Sequence, residues 1–367
     1  MKSQVGWLLA VAFALVGCTE ADEPADGSGG GGGEPAYDGP PIPWAYSPFP
    51  AAREPADNPS TPEKLALGNL LFYDPVLSGD DATACATCHS EIWGMSDGLP
   101  VSVGILGEGP TGPGRDGPNK TTRNAQTLWN VAFREELFWD GRKPSLEEQA
   151  LEPLRAEREL GLDPELAVAK LAAIPEYASL FASAFPDDAQ PVSSQNIARA
   201  LSVFQRTLVS DMALYDQYVA GDEEALLPNV RDGMFLFAEG GCARCHVPPL
   251  FDSQRYEARL PVVDAGRETV TGDPNDRGAF LIPTLRNSRD SEPFFHDGSV
   301  MTLREAVRVE ADISAARGEG RALTDEEVEL VTKFIDKALT DRTRDPKRPK
   351  EVPSGLDVPE DGFRVFR

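Results

Sequence analysis

Histidine, cysteine and methionine are all scarce in this chain, with 3, 5 and 5 residues among 367. Few side chains are therefore available to ligate a soft or borderline metal ion. Positive charge is also in deficit, with 35 Lys and Arg against 60 Asp and Glu. The formal net charge of −25 argues against nucleic acid or an anionic membrane face as partner. It suits plain solubility, and it suits a basic protein steered in by an acidic surface. Long apolar runs are missing too: Trp7 to Val16 is too short to span a bilayer. A hydrophobic content of 41% is ordinary for a globular protein. The length is natural for two domains, each able to bury a core.

The scarce residues are concentrated. Cys85-Ala86-Thr87-Cys88-His89 and Cys242-Ala243-Arg244-Cys245-His246 take four of the five cysteines and two of the three histidines. Two thiols one short turn apart can add to the two vinyl groups of one haem, and the next side chain then presents an imidazole nitrogen to the iron. The pattern implies two covalently bound haem c groups, with His89 and His246 as iron ligands. Zinc held by four thiolates is the first alternative, but the pairs lie far apart and each carries a His that zinc would not need. A thioredoxin-like redox motif is the second, and it expects a βαβ setting that neither run has.

The fifth cysteine belongs to an export signal. Met1-Lys2 and the short apolar run lead to Leu15-Val16-Gly17-Cys18, which reads as a lipobox with Cys18 as the lipid-bearing residue. Residues 1–17 are then a lipoprotein signal peptide. Residues 18–59, with an unbroken run from Gly29 to Gly33, form a tether that cannot bury enough apolar surface to fold. Its end carries Trp44, Tyr46 and Phe49, which can pack on the body. Thr19 after Cys18 points to the periplasmic face of the outer membrane, and c-type attachment outside the cytoplasm agrees with export.

From residue 60 the chain reads as all-α with long irregular loops. Helices are expected from Thr61-Pro62-Glu63 onward, over 145–154, over 164–184 and over 194–209, where Ile197, Leu201, Phe204 and Leu208 share one stripe. Val230, Met234 and Phe237 form a stripe before the second motif. Residues 247–292 read mostly as loop. Thr324 and Glu327 make a capping box before Val328, Val331, Ile335 and Leu339. Two cytochrome c domains follow, 60–210 and 211–341, each carrying one covalent haem, with a charged tail at 342–367.

Further segments resemble the bacterial di-haem cytochrome c peroxidases and their MauG and MbnH relatives. They are Leu71-Phe72-Tyr73-Asp74, the run Asp97 to Gly104, Arg123-Asn124, Phe138-Trp139-Asp140-Gly141-Arg142, Glu148-Gln149-Ala150, Pro283-Thr284-Leu285-Arg286-Asn287 and Pro293-Phe294-Phe295-His296-Asp297-Gly298. They run in family order across roughly residues 60–340. The resemblance implies a peroxide-reacting first haem on His89 and an electron-storing second haem on His246. It implies that Trp139 relays electrons between them, that Glu159 is the acid–base residue of the peroxide pocket and that Gln149 is its neighbour. It also implies one Ca2+ near Asn124 and the backbone carbonyls of Ser291 and Pro293. Each assignment has a plain rival: Trp139 as core, Glu159 as one of a solvated charge run with Glu157 and Arg158.

Two departures from the family pattern bear on function. Ile105 stands where the peroxidases place a distal His, so the first haem is expected to be open. Glu310 stands where the peroxidases place a Met ligand of the second haem, and MauG and MbnH a Tyr. The sixth ligand there is then Glu310, Met301, His296 or none. The leading reading is a periplasmic peroxidase-type oxidoreductase that takes hydrogen peroxide, with a small electron-donor protein such as a cytochrome c or cupredoxin. A second is oxidation of side chains of a partner protein. A third is non-catalytic electron transfer or sensing, which Met95 as a ligand of the first iron would rescue.

Overall fold

Each haem motif is preceded by a helix that lies unusually close to a later one. The computed structural model describes residues 42–44, 47 and 49–362. Within it α1 (Pro62–Tyr73) runs into α2 (Cys85–Cys88) and packs on α7 (Ser194–Arg206). A Cβ on Gly68 of α1 would come 2.0 Å from the Ala200 carbonyl oxygen and 3.0 Å from Cβ of Phe204. The second half repeats the device. There α9 (Pro228–Glu239) precedes Cys242, and a Cβ on Gly233 would come 2.1 Å from the Leu330 carbonyl oxygen and 3.0 Å from Cβ of Phe334. Leu330 lies on α12 (Asp325–Lys333). Glycine is required at both crossings because any side chain would push the backbones apart.

Around each crossing the apolar stripes close a core. The first unites Leu67, Leu71, Ile197, Leu201, Phe204 and Leu208; the second unites Val230, Met234, Phe237, Val328, Val331 and Ile335. Burying each such side chain is worth about 1.5–3 kcal/mol. Helix starts are capped as expected: Thr61 Oγ1 accepts from Lys64 N at 3.2 Å, and Thr324 and Glu327 form the reciprocal box. Sheet is confined to one two-residue pair, β1 (Tyr256–Glu257) antiparallel to β2 (Phe280–Leu281). The rest of 247–292 is loop and single turns, including α10 (Glu268–Thr271). The architecture is helix-rich with little sheet, and the described residues belong to one compact unit.

Prolines divide two of the expected helices. The stretch 145–154 becomes α3 (Leu146–Gln149) and α4 (Glu152–Arg155), because Pro153 has no N–H for the Gln149 carbonyl. The stretch 164–184 becomes α5 (Pro164–Ala172) and α6 (Pro175–Ala184), bent by 106°; Ile174 before Pro175 is extended, at φ −97 and ψ 110. Short α8 (Leu214–Val219) starts the second core. The helix carrying Glu310, α11, spans Leu303–Ala316, with Glu310 in its interior.

The segment after residue 341 is charged, as expected, but its described part lies along the first core. Val352 is buried, and Leu356 and Val358 pack against that core. Arg348 pairs with Glu91 at 2.8 Å and Asp361 at 2.9 Å, and Ser354 Oγ donates to Asp74 at 2.7 Å. Ahead of residue 60, Trp44 Nε1 donates to the Tyr215 hydroxyl at 2.9 Å, and Phe49 meets Phe133 edge-on at 5.1 Å. Cys18, the lipobox and the glycine run lie outside the described residues. No single helix among those described is long and apolar enough to cross a membrane.

Candidate active site

Both motif histidines are half-buried and aimed by backbone carbonyls. α2 is a single turn, and His89 N donates back to Cys85 O at 3.0 Å. His89 Nδ1 lies 3.0 Å from the Met95 carbonyl oxygen. A proton on Nδ1 donates to that carbonyl and leaves Nε2 as the free lone pair. His246 is held alike, with Nδ1 3.2 Å from Phe251 O and 3.1 Å from Pro283 O. Burial pushes His246 down to about 4 and lowers His89 too, which favours the neutral ring that an iron ligand needs.

Each imidazole opens into its own cavity. The first is walled by Cys88, His89, Gln149, Glu159, Trp139 and Asn124 among others. The second is walled by Cys242, Cys245, His246, Trp139, His296 and Glu310 among others. All four motif thiols are free. Paired free thiols, a neutral imidazole and a large, mostly hydrocarbon-walled space at each motif fit a covalently attached haem.

Glu159 turns inward while its neighbours Glu157 and Arg158 stay exposed. The turn is made by the backbone. Ala156 O accepts from Glu159 N at 2.9 Å and Gly161 N at 3.0 Å, and Leu162 N returns to Leu154 O at 2.7 Å. Gly161 takes the left-handed φ of 55 that this reversal needs. Burial raises the Glu159 carboxyl above its ordinary value; Arg142 opposes this and Glu152 adds to it. Ile105 sits behind the same turn. Its N–H donates to Glu159 O at 2.8 Å, and its side chain lies against Gly161. The position where the resemblance expects a distal His thus carries hydrocarbon tied to the Glu159 turn.

Trp139 borders both cavities. Its indole N–H donates to Asn124 O at 2.9 Å, and Phe280 and His296 meet it edge-on at 6.5 Å each. Arg142 lies over the Phe138 ring at 3.4 Å, and Asp140 anchors the turn through Arg123 at 2.7 Å and Arg142 at 2.8 Å. His296 stacks flat on Phe280 at 3.8 Å and borders the second cavity. Asn124, Ser291 and Pro293 do share the first cavity. Yet Asn124 spends its carbonyl on Trp139 and its Nδ2 on Leu99 O at 2.8 Å. Among the described residues no group of three or more His, Cys, Asp or Glu could hold a metal ion; the expected Ca2+ set draws on an amide side chain and backbone carbonyls instead.

The sixth-ligand expectations for the second iron separate clearly. Met301 is 57% exposed and borders neither cavity, so it is no ligand; it lies just before α11 and points to solvent. Glu310 does border the second cavity, but Arg259 donates to it at 2.9 Å and also binds Glu319 and Ser314. Burial raises the Glu310 carboxyl, and Arg259 opposes this. Met95, the ligand needed by the non-catalytic reading, has its side chain in the first core and uses its carbonyl to orient His89. Arg259 was missed by sequence reasoning, since nothing in its loop marks it as the partner of a helix residue so far along the chain.

Comparison with known proteins agrees with this geometry. A family model described as di-haem cytochrome c peroxidase matches residues 62–224. Cytochrome c551 peroxidase of Pseudomonas aeruginosa is 33% identical over 287 residues, covering 76% of this chain and 79% of that protein. Methylamine utilization protein MauG of Methylorubrum extorquens is 39% identical over 258 residues, 69% of each chain. Among solved structures, a MauG-like protein associated with microbial copper homeostasis superposes with a TM-score of 0.70 at 28% identity, over 83% of this chain and 97% of that one. With two such motifs, two glycine-crossed helix pairs and this extent of shared sequence, the chain belongs to the di-haem cytochrome c peroxidase family.

Proposed function

We propose that this chain is a peroxidase-type oxidoreductase that reduces hydrogen peroxide in the cavity of His89. The observation that carries the reading is the inward-turned, burial-raised Glu159 in that cavity. Cys85 and Cys88 would hold a haem c, with His89 as ligand to its iron, and that iron would supply the redox chemistry for reducing peroxide. Glu159 takes the proton from one peroxide oxygen and delivers it to the other, so that water leaves as the O–O bond breaks. Gln149, on the same wall, orients the peroxide. Ile105 offers no lone pair and leaves the peroxide side open. Two electrons and two protons then complete two waters, and Trp139, bordering both cavities, is the path for electrons from the His246 side. The donor is a small basic protein such as a cytochrome c or cupredoxin, drawn by the acidic surface. Glu159→Gln tests the assignment: peroxide consumption near the wild-type rate removes Glu159 from the mechanism.

A second reading is favoured by Glu310, which offers neither the sulfur nor the phenol of the relatives. Here the oxidising equivalents pass to a side chain of a partner protein, as the likeness to MauG suggests. Turnover with reduced cytochrome c separates the two, since negligible turnover supports protein oxidation. We place the enzyme in the periplasm, anchored by a lipid on Cys18. Cys18→Ser should then release it from the membrane fraction, and retention there would refute the anchor.

A further inference from the structure

One tyrosine outside both cavities is wired to the turn that carries Trp139. Tyr256 lies on β1 opposite Leu281 of β2, and Leu281 N donates to Trp139 O at 2.8 Å. Its phenol oxygen is pressed on the same turn, only 1.6 Å from where a Cβ on Gly141 would stand. The hydroxyl donates to Glu136 Oε2 at 2.5 Å, and Glu136 borders the first cavity. Arg267 completes the cluster. It donates to the phenol oxygen and to Glu136 Oε1, each at 3.0 Å, and to the carbonyls of Asp140 at 2.9 Å and Gly141 at 3.0 Å.

We propose that Tyr256 is a redox-active tyrosine that holds one oxidising equivalent, passing its electron inward by way of Trp139 and its phenolic proton to Glu136. The inference rests on the peroxidase reading above, which supplies hydrogen peroxide as oxidant. Peroxide takes two electrons on reduction to two waters, and Tyr256 provides one of them. The phenol O–H bond breaks, an O–H bond forms on Glu136 Oε2, and a neutral tyrosyl radical remains. An electron from an external donor and the return of the proton from Glu136 restore the pair.

The surroundings favour this form of the chemistry. Oxidised tyrosine is a strong acid, so it needs a base already at hydrogen-bond distance, and Glu136 is one. The Arg267 guanidinium lies over the Tyr256 ring at 4.2 Å, which disfavours a ring cation and favours loss of the proton with the electron. Burial, then Glu136, raise the phenol above its ordinary value, so it enters the reaction protonated. Tyr177 offers an internal contrast. It donates to Asp74 Oδ2 at 2.6 Å, but it sits within the first core, and Asp74, unlike Glu136, borders neither cavity.

The test uses the full di-haem protein mixed with hydrogen peroxide and frozen within the turnover, read by electron paramagnetic resonance with ring-deuterated tyrosine. Wild type should give a deuteration-sensitive tyrosyl signal. Tyr256→Phe and Glu136→Gln should lose it, and Tyr177→Phe should keep it. Resting absorption spectra check that the variants retain their haem sites. A signal that persists in Tyr256→Phe or Glu136→Gln overturns the inference. So does no tyrosyl signal in wild type when the haem spectrum does respond to peroxide, a result that leaves the peroxidase reading standing. No haem response to peroxide overturns both.

Discussion

Glu159 shows how one side chain acquires a role its neighbours lack. Three charged residues in a row ordinarily face solvent, and Glu157 and Arg158 do. The reversal through Ala156 and Gly161 leaves only the third of them shielded from solvent, although all three border the first cavity. Replacing Glu159 with Gln should slow peroxide reduction by about 10²–10⁴-fold, measured as kcat/KM. The sign of the pH dependence follows from burial, which disfavours the carboxylate and raises its value. The proton-accepting form is lost as pH falls through that raised value. The acid limb of kcat/KM should therefore lie above the ordinary carboxylate range and vanish in Glu159→Gln. Arg142 opposes the rise, so Arg142→Ala should move the limb further up in pH profiles of the two proteins.

At the scale of elements, the glycine crossings are the most exacting contacts. Gly68→Ala and Gly233→Ala would each set a methyl group about 2 Å from a backbone oxygen of the facing helix. Overpacking of this kind costs about 1–3 kcal/mol, read as a lowered denaturation midpoint at unchanged m value. The helices themselves were legible because their stripes and caps are local: Ile197, Leu201, Phe204 and Leu208 all reach the first core. The breaks at Pro153 and Pro175 were equally local, yet continuous apolar content masked them. The close crossings were not legible, because nothing along α1 names the helix that meets Gly68.

For the whole molecule, the charged C-terminal segment is a brace on the first core. Arg348 and Ser354 reach partners more than 200 positions earlier, Glu91 and Asp74. Arg348→Ala should lower the unfolding temperature while leaving the His246 half of the molecule spectroscopically intact, as followed by absorption during melting. The charge of −25 acts over the whole surface. With a basic donor protein, kcat/KM should fall steeply as salt rises, because screening shortens the reach of the field to about 8 Å at physiological ionic strength. A rate independent of salt would exclude electrostatic steering.

Ligand chemistry is carried by residue type and short spacing, so the two Cys-x-x-Cys-His runs by their pattern alone point to haem at those thiols and to His89 and His246 toward iron. Ile105 and Glu310 were likewise visible as departures from the family pattern. What they do depends on residues brought from elsewhere. Arg259 holds Glu310, a carbonyl at Met95 aims His89, and the Trp139 turn is clamped by Tyr256 and Arg267. Those contacts join loops distant along the chain through backbone atoms and buried ion pairs, which leave no periodic trace. The kind of cofactor was readable from the order of residues, because covalent and coordinate bonds depend on which atoms are present. Which carboxylate is shielded from solvent and which is held by a guanidinium followed from folding, because burial and partner distance are properties of the folded chain.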